Sequence, residues 1–377
     1  MSDAGDRKEQ SFDLLKGVTV VEFGDDIAGS ITAYHLAMLG ATVIIVEPAQ
    51  GCWLRRLHTD TPGPSSAPLF ACFGRGKRSV SYERMLEAVA PWASVDVVIE
   101  PFDAAIADQF PQLFANDDPA GPLVLSYREA DGTRLSELGA QASFGVSAFL
   151  GRPNEAPYRV GFELITYSAA VLAVQAILAA LPGKRECGLS QRLRVPFSRV
   201  AANILNNVTT ASVEPEQQTG FSRSWASSPY FGVGCADGEV ELLFYGPTAD
   251  RDWGRFVSRL GLPGLATDKR FAAYSGRTQF AGDLREALAP ATLALPRKAV
   301  LELAVELGGM AVPRWGSDEV ARSEQVRAND LLIPRASADR YQLLASPWAI
   351  NGRRAALTVL PDVAQHTASF LSIGAQS

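Results

Sequence analysis

The chain has 377 residues, 47% hydrophobic and 20% charged, with 35 Lys and Arg against 41 Asp and Glu for a formal net charge of −6. That length is too great for one small core and fits two domains, or one large domain with an insertion. The acidic balance and scattered arginines exclude the basic stripe that nucleic acid requires, and 4 Cys and 3 His without ligand spacing argue against disulfides and a metal site.

Residues 1–13, MSDAGDRKEQSFD, are polar and mixed in charge, unlike a signal or transit peptide. No apolar run reaches the ~20 residues that span a bilayer. The expectation is a cytoplasmic protein with neither a membrane nor a nucleic-acid partner. Residues 18–23, VTVVEF, read as a buried strand, GDDIAGS as a turn, ITAYHLAMLG as a short helix stopping at Gly40, and ATVIIVEP as a second buried strand. This is a βαβ unit with a parallel sheet. Residues 95–99 and 122–126 add two strands, so the first half is α/β and doubly wound. Gly24 and Gly29 lack the third glycine of a dinucleotide loop and the Lys-Ser/Thr of a Walker loop. Glu47 suits either a ribose contact or a cap on the next turn. Arg55–Arg56 and Arg353–Arg354 read as solvated faces.

Residues 160–181 form an apolar helix whose first turn carries Glu163, Thr166, Tyr167 and Ser168, where charge would use the helix dipole or do chemistry. Pro182 and Gly183 end it, a short strand follows, and 197–212 is helical again. The polar stretch 213–228 is the linker candidate. YFGVGCADGEVELLFYG alternates around Asp237-Gly238 as a hairpin. Three amphipathic helical segments follow, then GMAVPRW, a terminal stretch with strand character and a short helix near 361–373. The division expected is a large Rossmann-like domain over 1–212, the linker 213–228, a small α+β domain over 229–330, and a return to the large domain over 331–377.

LKGVTVVEF…IAGSITAYHLAMLGATVIIVEP, GRGKRS and GAQASFGVSAFLGRPNEAPYRVG resemble the class III CoA-transferases (CaiB/BaiF-like), as do SPYFGVGCADGEVEL, DKRFA, GGMAVPRWGSDEVARSEQVRAND and PDVAQHTASFL in the second half. The likeness covers nearly the whole chain in order. It implies a large Rossmann-like domain with a parallel sheet and a smaller α+β domain, in two chains interlocked like links. It also implies CoA or acyl-CoA as ligand, with no tightly bound cofactor. Family sites include Ile27-Ala28-Gly29 at the first turn, Gly74, Arg75 and Lys77, and Phe102. Lys77 is read either as a point charge for a CoA phosphate or as a surface lysine; Trp225, Tyr230 and Phe231 read as core or interface anchors.

The departures from the family concentrate at its site. The family's attacking aspartate, in a segment like G-x-P-I-A-D-Y-A-A-G, falls on Thr166. A hydroxyl there has no adjacent base in sequence and is a poor nucleophile. Glu163, one helical turn earlier, is the substitute catalytic candidate, or simply a first-turn charge. The Asn-Phe-Arg-Pro-Gly-like turn reads Glu100-Pro101-Phe102-Asp103, and its arginine has no counterpart before Arg128. The reading is an aspartate-less subunit paired with a homologous catalytic chain, or with itself. The alternatives are an active transferase using Glu163; a racemase- or lyase-like enzyme with His35, His58 and Glu163 as candidates; and a non-catalytic acyl-CoA-binding protein.

Overall fold

The apolar run near residue 20 forms β1 (Thr19–Glu22), and the turn after it starts α1 (Ile27–Met38). The chain continues through β2 (Thr42–Glu47), β3 (Lys77–Ser81), β4 (Val97–Ile99), β5 (Leu123–Ser126), α2 (Glu137–Ser143), α3 (Leu164–Cys187) and β6 (Arg192–Arg194). The computed structural model describes residues 11–57, 67–87, 92–114, 121–150, 156–188, 190–205, 231–333 and 343–374. The expected linker at 213–228, with Trp225 and Tyr230, and His58 lie outside these residues. By contacts the chain divides into one unit of Met1–Phe144, Val160–Ile204 and Arg327–Ser377, and a second of Gly145–Arg159 and Leu205–Val326.

In the first unit six parallel strands lie in the order β3-β2-β1-β4-β5-β6. A parallel sheet is covered on both faces, which is why its central strands β1, β2, β4 and β5 are rich in Val, Ile and Leu. Val21, Ile44, Val46, Val98 and Val124 share one core with Phe23, Trp92, Phe110 and Phe370. The apolar helices α1 and α3 pack on each other, α1 also on β1 and β2, and α3 on β5. Strand order reverses between β1 and β4, so a crevice opens beyond their carboxyl ends.

Three sequence expectations change here. GRGKRS, given no strand in the sequence reading, runs into β3 at Lys77, hidden from the hydrophobic pattern because Lys77 points inward. The Lys77 ammonium meets Glu22 Oε1 at 2.5 Å and donates to the Ser30 carbonyl at 3.1 Å, with both side chains 1% exposed. Arg55, expected on a solvated face, is buried against Glu47, donating from Nε and Nη2 at 2.7 Å each. Glu47 also accepts from the Cys52 N–H at 2.9 Å and the Ser79 hydroxyl, so it caps the turn after β2 and is closed to a ribose. Finally, α3 does not end at Leu181: it continues through Pro182 to Cys187 and stops at Gly188, whose φ of 65° is the left-handed cap. At 24 residues and a mean hydropathy of 2.1 over its most apolar window, α3 is long and apolar enough to cross a membrane. Half of that window is buried inside the protein.

The segment after residue 343 ties back over long sequence distances. Arg55 Nη2 donates to the Pro361 carbonyl at 2.9 Å and Arg75 Nη1 to the Leu357 carbonyl at 2.8 Å, while Ser79 Oγ accepts from the Ala364 N–H. Among the described residues, the strand character expected there reduces to two isolated bridges, Leu332 with Leu344 and Ile350 with Arg353. A helix over Thr367–Gly374 follows.

In the second unit, the Asp237-Gly238 turn joins β7 (Phe231–Cys235) to β8 (Gly238–Leu243), and β9 (Met310–Arg314) pairs with β8. Pro313 is tolerated because β9 is an edge strand. The helices α4 (Ala249–Arg259), α5 (Ala281–Thr292) and α6 (Arg297–Glu306) contribute Trp253, Phe256, Leu284, Leu288 and Val300 to a core with Val240, Leu242 and Phe244.

Removing one member of a buried ion pair strands the other charge, at a cost of roughly 3–5 kcal/mol. Lys77→Met is therefore expected to lower the urea-unfolding free energy by that order, and Glu22→Gln in the same chain to restore much of it. An unchanged midpoint in Lys77→Met would show the pair to be dispensable.

Candidate functional site

Beyond β1, Phe23 and Gly24 lead into Asp25 and Asp26. Gly24 has φ 63°, and a Cβ there would stand 2.7 Å from both Cys52 and Ile45, so only glycine fits this bend. Asp26 caps α1: its carboxylate accepts from the N–H groups of Ala28 at 3.3 Å and Gly29 at 3.1 Å. The donors that a phosphate would use at this helix end are thus engaged by the chain's own carboxylate.

Asp25 and Asp26 open a cavity of about 540 Å³ at the strand-order reversal. Its wall continues through Ile27, Trp53, Phe102, Asp103, Tyr127 and the loop Arg134-Leu135-Ser136-Glu137, and on to Glu163 and Thr166 at the start of α3. That volume lies within the range of small-molecule sites. Every one of these residues belongs to the first unit.

The start of α3 is held by a carboxylate from elsewhere in the chain. Glu137 Oε2 accepts from the Thr166 N–H at 2.7 Å and from its hydroxyl at 2.8 Å. Oε1 accepts from the Ile165 N–H at 3.1 Å and from Gln141 Nε2 at 2.6 Å. Gln141 in turn accepts from the Val160 N–H at 2.8 Å, tying down the approach to the helix. A buried apolar helix leaves its first N–H groups without intrahelical partners, and an anion placed there satisfies them and complements the dipole. Glu163 is the N-cap residue of α3 and makes no side-chain cap bond; it faces the same cavity.

Five carboxyl groups (Asp25, Asp26, Asp103, Glu137 and Glu163) and one guanidinium, that of Arg134, line the cavity. Burial pushes the Asp25 carboxyl up to about 6, and the neighbouring Asp26 charge adds to this. The Asp103 N–H, donating at 3.1 Å, and Arg134 pull the other way. Burial also raises the Tyr127 phenol, whose oxygen lies 2.5 Å from Thr32 Oγ1. Arg134 is 5% exposed, and its Nη2 stands 3.4 Å from Asp26 Oδ2. Its Cζ lies 5.1 Å from the Phe102 ring centroid and 5.6 Å from that of Tyr127. Arg128, ion-paired with Glu100 at 3.3 Å, donates to the Pro101 and Phe102 carbonyls and braces the turn that carries Phe102.

Of the residues singled out from sequence, Ile27, Phe102, Glu163 and Thr166 meet in this cavity, with Ala28 and Gly29 just behind it in α1. Gly74, Arg75 and Lys77 do not line it. Gly74 ends the helix Pro68–Phe73, where a Cβ would strike the Phe70 ring. Arg75 donates to the carbonyls of Cys72 and Leu357 and to the Tyr34 hydroxyl. Lys77 neither faces a phosphate nor lies on the surface; its charge is spent on Glu22. His35 is also elsewhere, 2% exposed among Tyr34, Tyr167 and Trp348, and burial lowers it to about 4. Sequence reasoning passed over Asp25, Asp26, Arg134 and Glu137. The signal for Glu137 was Ser136-x-x-Gly139, the start of α2 where Ser136 Oγ accepts from the Gly139 N–H.

The sequence profile of CoA-transferase family III matches residues 15–108 and 136–367. The chain is 26% identical to a probable fatty acyl-CoA transferase of Mycobacterium tuberculosis, over 95% of this chain and 97% of that protein. It is 25% identical to succinate–glutarate CoA-transferase of Agrobacterium fabrum, over 99% and 97%. A crystal structure of a CaiB/BaiF family protein from Brucella suis superposes with a TM-score of 0.81 at 24% identity, covering 97% of this chain and all of that one, a likeness of fold.

Asp25 offers a test of the site's electrostatics. Its folded value of about 6 lies above the ordinary 3.8. A carboxyl raised in this way stabilises the fold below about pH 4 and loses that contribution as pH rises through 6. Asp25→Asn is expected to gain on the order of 2 kcal/mol over the parent at about pH 8 and nothing at about pH 4. Urea unfolding at the two pH values reads this, and a gap independent of pH would refute it.

Proposed function

Because the chain belongs to CoA-transferase family III, we propose that its first-unit cavity takes a CoA thioester and that the chain serves as the aspartate-less member of a paired transferase. The observation that carries this reading is the state of Thr166. On the family resemblance the attacking carboxylate stands at this position; here a hydroxyl stands there instead, donating to Glu137. Glu137 is the nearest carboxylate, and it has donors on both oxygens, four in all. Attack on a thioester carbonyl would require breaking one or more of these bonds and uncapping α3. A group so held positions a helix and serves poorly as a nucleophile.

The family relatives named above, fatty acyl-CoA and succinate–glutarate transferases, share the chemistry of a CoA thioester and a free carboxylic acid. The cavity's volume suits the acyl end of such a thioester. Its acid-rich wall does not suit the phosphates of CoA, which therefore lie outside it. Retention of the whole fold beside a site without its nucleophile is what an interlocked pair needs, since each chain supplies surface to the other. The partner is a homologous chain that carries the aspartate.

A second reading has one supporting observation: Glu163 lies on the cavity wall next to the start of α3. In that case the chain transfers CoA by itself, and Glu163→Gln abolishes the activity.

The purified chain alone is expected to bind a short acyl-CoA in calorimetry. Loss of a covalent nucleophile costs on the order of 10⁴-fold or more in turnover, so transfer to an acid acceptor should fall at least that far below an ordinary rate. Activity should appear on mixing with an aspartate-bearing homologue from the same genome. Ordinary turnover by the chain alone overturns the paired reading. Binding with no gain from any such homologue would instead make it a non-catalytic acyl-CoA-binding protein.

A further inference from the structure

Arg134 is the one cation among the described residues of the cavity wall, and its donors are unused. The side chain is 5% exposed, and none of its three guanidinium nitrogens has a hydrogen-bond partner among the described residues. The nearest anion, Asp26 Oδ2 at 3.4 Å, is already bonded to the Gly29 N–H. A buried guanidinium carries five donors, and burying them unpaired is costly unless an acceptor arrives. Phe102 and Tyr127 pack near the guanidinium, and Phe102 is itself 53% exposed, so its ring is free to yield to a ligand.

We propose that Arg134 is the anion receptor of this cavity and that it takes a carboxylate carried by the ligand's acyl group or by the free acid. This rests on the cavity being the thioester site of the preceding reading and adds the ligand's second functional group. The charge of the wall decides for a carboxylate over a phosphate: beside four other acids and Asp26, a single cation offsets a monoanion and not a dianion. The planar fork of a guanidinium also matches a carboxylate with two parallel bonds. Arg134 is three residues before Glu137, so their Cα atoms lie within roughly 11 Å of each other. The receptor is therefore about one short acyl chain from the Glu137–Thr166 end, which selects short dicarboxylic acids over monocarboxylic ones.

The test is calorimetric titration of the full chain with succinate, succinamide and inorganic phosphate, and with succinyl-CoA and butyryl-CoA, in the parent, Arg134→Met and Arg134→Lys. Succinate and succinyl-CoA are expected to bind the parent, butyryl-CoA at least tenfold more weakly than succinyl-CoA, and succinamide and phosphate not at all. Arg134→Met should weaken succinate at least tenfold, with Arg134→Lys recovering part of it. In urea, ligand-free Arg134→Met should lose little stability, because the parent's guanidinium makes no hydrogen bond there and has only the 3.4 Å ion pair with Asp26 and its ring contacts to give up; a merely structural arginine would give a clearly less stable variant with unchanged binding. Phosphate binding that depends on Arg134, succinate binding indifferent to it, or no binding of succinate overturns the inference. Equal binding of the two acyl-CoAs overturns it while leaving the thioester site standing, whereas binding of neither removes that site as well.

Discussion

The carboxylate of Glu137 at the head of α3 is the contact on which the site depends. A helix of 24 residues that is largely apolar needs its first N–H groups satisfied before it can be buried, and no side chain in its own first turn does this. Glu137 arrives from α2 and takes two backbone N–H groups and a hydroxyl at once. In doing so it fixes the loop that precedes it, and that loop carries Arg134 into the cavity. Helix burial, loop path and the composition of the cavity wall are therefore one constraint.

The electrostatics of the cavity follow from that arrangement. Asp26 is committed to the α1 cap and Glu137 to the α3 cap, so two of the five acids act as helix anchors. Asp25, buried and beside the Asp26 charge, holds its proton more tightly than an ordinary aspartate even though the Asp103 N–H pulls the other way, which relieves repulsion in a crowded acidic wall. Arg134 enters this field without hydrogen bonds of its own, with Asp26 at 3.4 Å as its one neighbouring anion and aromatic faces beside it. Such a cavity discriminates by ligand charge more than by shape.

Much of the architecture was legible in the sequence, for reasons specific to its elements. β1, β2, β4 and β5 are apolar runs rich in Val, Ile and Leu because a parallel sheet is covered on both faces. The Asp237-Gly238 hairpin announced itself through its turn. The family resemblance and the α/β class rest on these. β3 was not legible, since its inward lysine reads as a surface residue until Glu22 is seen opposite. Arg55 misled in the same way, its partner Glu47 lying on a different element. The end of α3 was obscured by Pro182, a breaker that this helix absorbs. At the site, Ile27, Phe102, Glu163 and Thr166 were named, but the base-like partner of Thr166 was 29 residues away, and only the fold brings it to 2.8 Å. Local patterns report what a residue is, and pairing across distant segments decides what it does.

The return of residues 355–374 to the first unit bears on how the molecule is made. Arg55 reaches a carbonyl 306 positions later, Arg75 one 282 later, and Ser79 an N–H 285 later, while Phe370 completes the core beneath the sheet. The second unit's core, by contrast, is drawn from a contiguous stretch between Val233 and Leu307. On a ribosome, the inserted unit has all of its core available while the sheet that precedes it still lacks its closing segment. Non-local closure of this kind is slow. The older part of the nascent chain thus waits, with its apolar sheet incompletely sealed, for the younger part to emerge. In this fold the order of synthesis and the order of completion run in opposite directions.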